Sequence, residues 1–375
     1  MTTNLHCPII HGGLVIDLKK SQTHVYSNHC CIKPAELAIV DPKNIWNSKT
    51  LIPLREVNKT NTWSNSCWQC RGNEQAGLTS LRTGMLEKFG VRTDLSGPQR
   101  LDLMFDIGCN LACRTCGPEL STFWQKHLKD NTIPFVAPSP ESRVDDMIEI
   151  LKTLDLSNLE MVVFCGGETL MGQGYWRVAD AIADMVPTAK EQITLSFQTN
   201  GTQTVNERNY KTIERFQIVK LNISLDGTGE RFEYLRWPAK WDSVVKNVMH
   251  LKETLPVNVM FLIEETISIF NLYYQHELDT WAKETLATNR LGDIVNHTRH
   301  AAIGAYGLNN LTTEYIDALP ANLRRLVNPA WKENPQSITQ MISQIEKFDQ
   351  IRGQDWTQTF PEVAGFYKRF ATSGI

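Results

Sequence analysis

The sequence predicts an α/β protein whose parallel strands close into a partial barrel, and three observations predict it. From Leu101 to Asn271, apolar runs with a period of two alternate with runs of helical period. Each strand-like run exits into glycine or polar residues, which mark turns. In a parallel barrel those exits share one end, where such folds gather their chemistry. A chain of 375 residues, 42% hydrophobic and 21% charged, is long and apolar enough to bury a sizeable core.

The elements follow in order, in three regions: 1–97, 98–290 and 291–375. After Cys7, PIIHGGLVIDLKKSQTHVYSNHCC reads as two strands around a polar turn at Lys19 to Thr23. That hairpin returns Cys30 and Cys31 to the end where Cys7 starts. A short helix is expected over Ile45 to Arg55, then the pair Cys67 and Cys70 in CWQC, and a boundary turn at Ser96-Gly97-Pro98. The middle region opens with LDLMFDIG, a strand from Leu101 to Ile107. Helices are expected over Glu119–Lys129, Asp145–Leu154, Trp176–Met185, Tyr210–Arg215 and Trp241–Glu253, with strands at Met161–Glu168, Ile193–Gly201, Val219–Gly227 and Val257–Ser268. The tail reads as helices over Pro320–Val327 and Pro335–Phe348, with Tyr306 and the tail aromatics as core.

Chemistry concentrates directly after the first central strand. Cys109, Cys113 and Cys116 are spaced C-x3-C-x2-C on one loop with no fourth cysteine close behind. Three thiolates so placed can hold three irons of a 4Fe–4S cubane and leave the fourth iron open to a ligand. The alternative is a zinc site completed by a distant histidine or cysteine. Nine cysteines in a reducing compartment are not read as structural disulfides. Cys165, inside an apolar run, reads as a small hydrophobe.

The cysteine loop, followed one strand later by FCGGE, resembles the signature of the radical S-adenosylmethionine (SAM) enzymes. That resemblance implies a partial (β/α)6, TIM-like barrel with a 4Fe–4S cluster on Cys109, Cys113 and Cys116, whose free iron takes the amino and carboxylate groups of SAM. By the same resemblance Gly166, Gly167 and Glu168 meet the SAM ammonium, and Gln198, Thr199, Asn200, Ser224 and Asp226 meet the ribose and methionine. Arg236, chosen over Arg231, forks onto the SAM carboxylate, and Thr266, with Ser268 and Asn271, lines the adenine side. The early Cys7, the Cys30-Cys31 pair, IWNS…LR and C-x2-C followed by Glu74, Gly77, Ser80 and Arg82 resemble the auxiliary-cluster module called the twitch domain. It implies a second 4Fe–4S cluster on Cys7, Cys30, Cys67 and Cys70, with zinc on the same ligands as the alternative. Adjacent strand residues point to opposite sides, so one of Cys30 and Cys31 faces the metal; Cys30 is taken here, with Cys31 as the alternative.

A net charge of −3 supplies no basic field for nucleic acid, and no apolar run reaches the roughly 18 residues that span a bilayer. The start, MTTNLHCPIIHGG, lacks a signal-peptide pattern, so the cytoplasm is the expected location. The expected activity is reductive cleavage of SAM and hydrogen-atom abstraction, with flavodoxin or ferredoxin as the type of electron donor. The expected substrate is a peptide or protein side chain, modified by oxidation or bond formation. A dehydrogenase or rearrangement enzyme for a small carbohydrate or nucleotide is the second reading, and a zinc-stabilised, non-catalytic binding protein the third. His297 and His300 are polar candidates for a substrate-facing position.

Overall fold

The computed structural model describes residues 5–18, 24–26, 44–48, 51–63, 67–75, 80–136, 142–286, 297–302, 304–324, 326–327 and 332–370. The expected Cys30, Cys31 and Gly77 lie outside these residues. Eight strands form one sheet: β1 (Gly13–Asp17), β2 (His24–Tyr26), β3 (Arg100–Met104), β4 (Met161–Cys165), β5 (Thr194–Thr199), β6 (Ile218–Ser224), β7 (Val259–Ile267) and β8 (His297–Ala301). Their order is β2-β1-β3-β4-β5-β6-β7-β8. Seven of them are parallel and form a half-barrel, with a helical C-terminal region. This is the α/β partial barrel that the alternation predicts.

The chain divides into two compact units, the first comprising Met1–Gly108, Ala137–Gln198 and Val205–Leu221. Here β1 runs antiparallel to β2 and parallel to β3, with Gly13 opposite Arg100. The predicted hairpin therefore forms, and its first strand also extends the main sheet. The register sets Arg100 beside Met161 and Met161 beside Thr194, so residues two apart share a face across β3, β4 and β5. One face is apolar: Leu101, Leu103, Val162, Phe164, Leu195 and Phe197 are fully buried. Against it packs Gly174–Met185, whose Trp176 ring lies 4.6 Å from Phe197 and whose Tyr175 ring lies 4.5 Å from Phe105. The other face carries Asp102, ion-paired to Arg100 at 2.8 Å, then Cys165, Ser196 and Gln198. That face is mixed, since Met161 and Val163 stand on it as well and pack with Phe89.

The second unit comprises Cys109–Val136, Thr199–Thr204 and Asn222–Ile375. β7 buries every second residue, from Val259 to Ile267, and pairs in parallel with β8. Thr266 thus falls on the half-exposed face with Met260, Leu262 and Glu264, while Glu265 is buried on the other face. There Glu265 accepts from Asn271 at 3.1 Å and meets His297 at 2.9 Å and Arg299 at 3.3 Å. His297 is held in this hydrogen-bonded network, not turned to the face of Thr266. The sequence HTRHA had read only as a polar stretch; neighbouring strand backbone and these charges, not apolar content, make it β8.

The helix predicted over Pro335–Phe348 runs on to Arg352, capped by Asn334 at its start and by left-handed Gly353, φ 61°, at its end. Its Ile338, Met341, Ile342 and Ile345 pack with Phe270, Tyr306, Tyr315 and Tyr367 in one apolar cluster, so the tail aromatics are core. Tyr315 donates to Ile269 O at 2.7 Å and accepts from Tyr273 N at 3.2 Å, closing two buried backbone groups. Tyr315→Phe should cost about 1–3 kcal/mol by leaving them unpaired, read as a lower denaturant midpoint at unchanged slope.

Candidate active site

The first part of the site is where β3 and β4 leave the sheet. Gly167 N donates to Asp106 O at 3.2 Å and Glu168 N to Gly108 O at 2.7 Å, so the two exits are laced backbone to backbone. A Cβ on Gly166, at φ 135°, would stand 2.3 Å from Asp106 O, and one on Gly167 2.2 Å from Gly108 O. Only glycine permits that approach. The Tyr175 hydroxyl braces both turns, its single proton shared between Asp106 O at 3.1 Å and Cys165 O at 3.0 Å. Glu168 is buried, and its Oε1 accepts from Leu170 N at 3.0 Å, tightening its own turn. Gln198 sits at the end of β5, its carbonyl accepting from Thr169 Oγ1 at 2.7 Å.

Cys109 follows Gly108 directly and opens the second part. Its loop is held by the helix Thr122–Asp130: Ser121 Oγ donates to Leu111 O at 2.6 Å, Thr122 Oγ1 to Cys109 O at 3.1 Å, and Trp124 Nε1 to Cys113 O at 2.9 Å. That helix begins three residues later than predicted, because Ser121 caps it and the residues before belong to the loop. From the other side Ala112 N donates to Trp237 O at 2.8 Å and Arg114 N to Leu235 O at 2.7 Å. Arg114 is buried; it pairs with Asp349 and donates to Gln354 Oε1 at 2.9 Å. Asp349 also accepts from Tyr234 OH at 2.7 Å and Trp356 N at 2.7 Å.

Around the thiols stand the other predicted residues. Asn200 Nδ2 is 3.8 Å from Cys109 Sγ and donates to Asn110 Oδ1 at 2.9 Å, while its Oδ1 accepts from Thr202 N at 2.9 Å. Thr199 Oγ1 accepts from Gly201 N at 3.2 Å. Arg236 Nη1 is 4.0 Å from Cys113 Sγ, and its Nε is 2.9 Å from Asp226 Oδ2. Asp226 Oδ1 accepts from Thr266 N at 2.8 Å, and Asn271 Nδ2 donates to both Asp226 O and Thr266 O at 3.0 Å. Asp226, Arg236, Thr266, Asn271 and Cys113 are therefore one connected set. Ser224 lies on β6 two residues before Asp226, partly exposed. Asn110, Thr202, Arg114 and Asp349 were missed. Asn110 is flagged only by its place beside Cys109, and Asp349, 235 residues from Arg114, carries no local signal.

The donor set fits an iron–sulfur cluster. Burial drives the Cys113 thiol well above its ordinary value against the pull of Arg236, and burial with Cys109 pushes Cys116 up to about 12. Thiols this reluctant to ionise need a bound cation before they become thiolates. Among the described residues no three His, Cys, Asp or Glu side chains gather tightly enough for a single metal ion. A cubane instead asks each cysteine for a different iron.

In the first unit Cys7, Cys67 and Cys70 are buried. Asn58 Oδ1 accepts from Cys7 N at 2.9 Å, and Arg82 Nη1 donates to His6 O at 2.9 Å while its Nη2 pairs with Glu74 at 2.5 Å. Ser80 donates to Glu74 at 2.6 Å and caps the helix Leu81–Phe89. The Glu74, Ser80 and Arg82 spacing thus builds a clamp on the backbone next to Cys7.

Residues 105–271 match the model of the Radical SAM superfamily. Among solved structures the chain is similar to Streptococcus suis SuiB bound to the precursor peptide SuiA, at 13% identity, covering 93% of this chain and 74% of that one, with a TM-score of 0.39. It is similar also to SuiB bound to S-adenosylmethionine, at 14% identity over 90% of this chain and 69% of that one, TM-score 0.39. No curated protein matches the chain. No helix among the described residues is long and apolar enough to cross a membrane.

Gly167→Ala should cost about 1–3 kcal/mol, because the obstructing atoms are backbone and cannot yield cheaply. Denaturation of the metal-free protein reads it; unchanged stability would show that the two exits are not tightly laced.

Proposed function

Because this chain belongs to the Radical SAM superfamily through residues 105–271, and is an enzyme of that kind, we propose that it takes a hydrogen atom from a peptide or protein side chain. The observation that carries the proposal is the buried three-cysteine loop at the exit of β3, fastened on both sides. Membership implies a 4Fe–4S cluster and SAM, and Cys109, Cys113 and Cys116 are the residues to hold the cluster. Held on these three cysteines, the cluster would supply the one electron that reductive cleavage of SAM requires, and SAM the group that abstracts hydrogen.

The chain's own part is to bind, orient and exclude water. Gly166 and Gly167 bring backbone close enough for carbonyls to accept from the SAM ammonium. Glu168 shapes that turn. Gln198, Thr199, Asn200, Ser224 and Asp226 supply polar groups for the ribose and methionine, and Thr266 lines the adenine side. Arg236 stays charged: burial opposes it, but Asp226 and Cys113 hold the proton on, which suits a carboxylate partner.

The second cluster of the proposal rests on Cys7, Cys67 and Cys70 with Cys30 as the fourth ligand. Four thiolates close every iron, which suits electron transfer and favours a net oxidation or bond-forming step. A flavodoxin or ferredoxin in the cytoplasm is the donor of this reading. Support for a peptide substrate comes from β8, last in the sheet order and exposed over its final four residues. An edge strand is where an extended peptide can pair its backbone.

Anaerobically purified protein should hold about eight iron per chain, falling to about four in the Cys109, Cys113, Cys116 triple-alanine variant. Zinc in place of iron throughout overturns the proposal. Cys113→Ala should abolish SAM cleavage, and Cys67→Ala should spare cleavage yet stop substrate turnover; product analysis by mass spectrometry separates the two.

A further inference from the structure

Three buried arginines surround the cysteine loop, and two of them have carboxylates. Arg114 pairs with Asp349 and Arg236 with Asp226. Arg352, the last residue of its helix, is only 9% exposed and has no ion pair among the described residues. Its Nη1 and Nη2 are buried without a hydrogen-bond partner. The guanidinium instead lies 4.7 Å from the Trp124 ring, 4.9 Å from Trp237 and 5.3 Å from Phe348. Trp124 and Trp237 are the residues that hold Cys113 O and Ala112 N, so this cation is one side chain behind the loop.

Nearby polar groups do not neutralise it. Its Nε is 3.3 Å from His127 Nε2, and burial, Arg352 and Arg114 together hold His127 down to about 4, a neutral acceptor at physiological pH. Arg352 also lines a cavity of about 560 Å³ with Glu230, Glu233, Gln354 and Asp355. Glu233 is paired to Lys240 at 2.6 Å, Asp355 caps the following helix by accepting from Thr357 N at 2.9 Å, and Glu230 is exposed to solvent. Burial lowers the Arg352 pKa to about 9, so it remains charged at neutral pH. A buried cation without an anion is strongly unfavourable unless its partner arrives from outside the chain.

We propose that Arg352 is a positioning residue whose unmatched charge balances the anionic cluster on Cys109, Cys113 and Cys116 and raises its reduction potential. This rests on the radical SAM reading above. The cluster with its thiolates is negative, and reduction adds a further negative charge. A fixed cation in a low-dielectric, aromatic surround favours the reduced form, as charge and burial do for iron–sulfur centres generally. Nη1 and Nη2 are buried, so screening by water is weak at the end of the side chain that carries the charge.

The test is a reductive titration of the iron-loaded enzyme, following by electron paramagnetic resonance the signal that the Cys109, Cys113, Cys116 triple-alanine variant lacks. Arg352→Met should lower the reduced-to-oxidised ratio at least tenfold at fixed potential, about 59 mV for one electron. Arg352→Lys, which keeps the charge, should restore most of it. His127→Asp, which gives Arg352 a carboxylate while keeping Trp124, Trp237 and Phe348, should reproduce the loss even if Arg352→Met cannot be loaded. An unmoved ratio in Arg352→Met or His127→Asp, with iron content intact, overturns the proposal. So does an equal shift in the Met and Lys variants, which would assign the effect to packing. A protein without the three-cysteine signal fails the radical SAM reading itself, a separate result.

Discussion

The constraint on which the site depends is the double fastening of the cysteine loop. Ala112 N and Arg114 N donate to the carbonyls of Trp237 and Leu235, while Trp124 and Ser121 reach back to the carbonyls of Cys113 and Leu111. A loop of irregular backbone has donors and acceptors with no ladder to satisfy them. Here they are met by a short helix on one side and by the segment after β6 on the other. The loop that carries the three cysteines, two of which burial holds in the thiol form, is thereby fixed through its backbone.

That fastening explains why so many residues far from the thiols matter. Arg114 sits inside the loop, so its charge is buried with it and must be matched. Asp349 supplies the match and is itself anchored by Tyr234 and Trp356. The C-terminal helix is thus more than an extension: it delivers Asp349 to Arg114 and Arg352 to the aromatic cage. Asp226 plays the parallel role for Arg236, and Asn271 ties the exits of β6 and β7 around it.

The sheet makes the rest of the arrangement possible through its period of two. Leu101, Leu103, Phe164 and Phe197 face helices, so Asp102, Cys165, Ser196 and Gln198 must take the other face. The register sets these polar side chains among Met161 and Val163, and Arg100 matches the charge of Asp102. At the strand exits the same geometry brings Gly167 against Gly108 and removes any room for a side chain.

Much of this was legible in the sequence alone. The alternation of apolar periods predicted β3 through β7 and the helices between them, because burial of one strand face and one helix stripe is written locally. The C-x3-C-x2-C spacing and the Gly-Gly-Glu turn were equally local, whereas the hold of Arg82 on His6 O spans 76 residues and was not. Tertiary structure alone decided which charges met: Arg114 with Asp349, Arg236 with Asp226, Glu265 with His297 and Arg299. It also made a strand of the polar HTRHA segment and left Arg352 without a carboxylate. The physical reason is range. Periodicity and turn chemistry act within a few residues, whereas the partner of a buried charge is chosen by whichever element the fold packs against it.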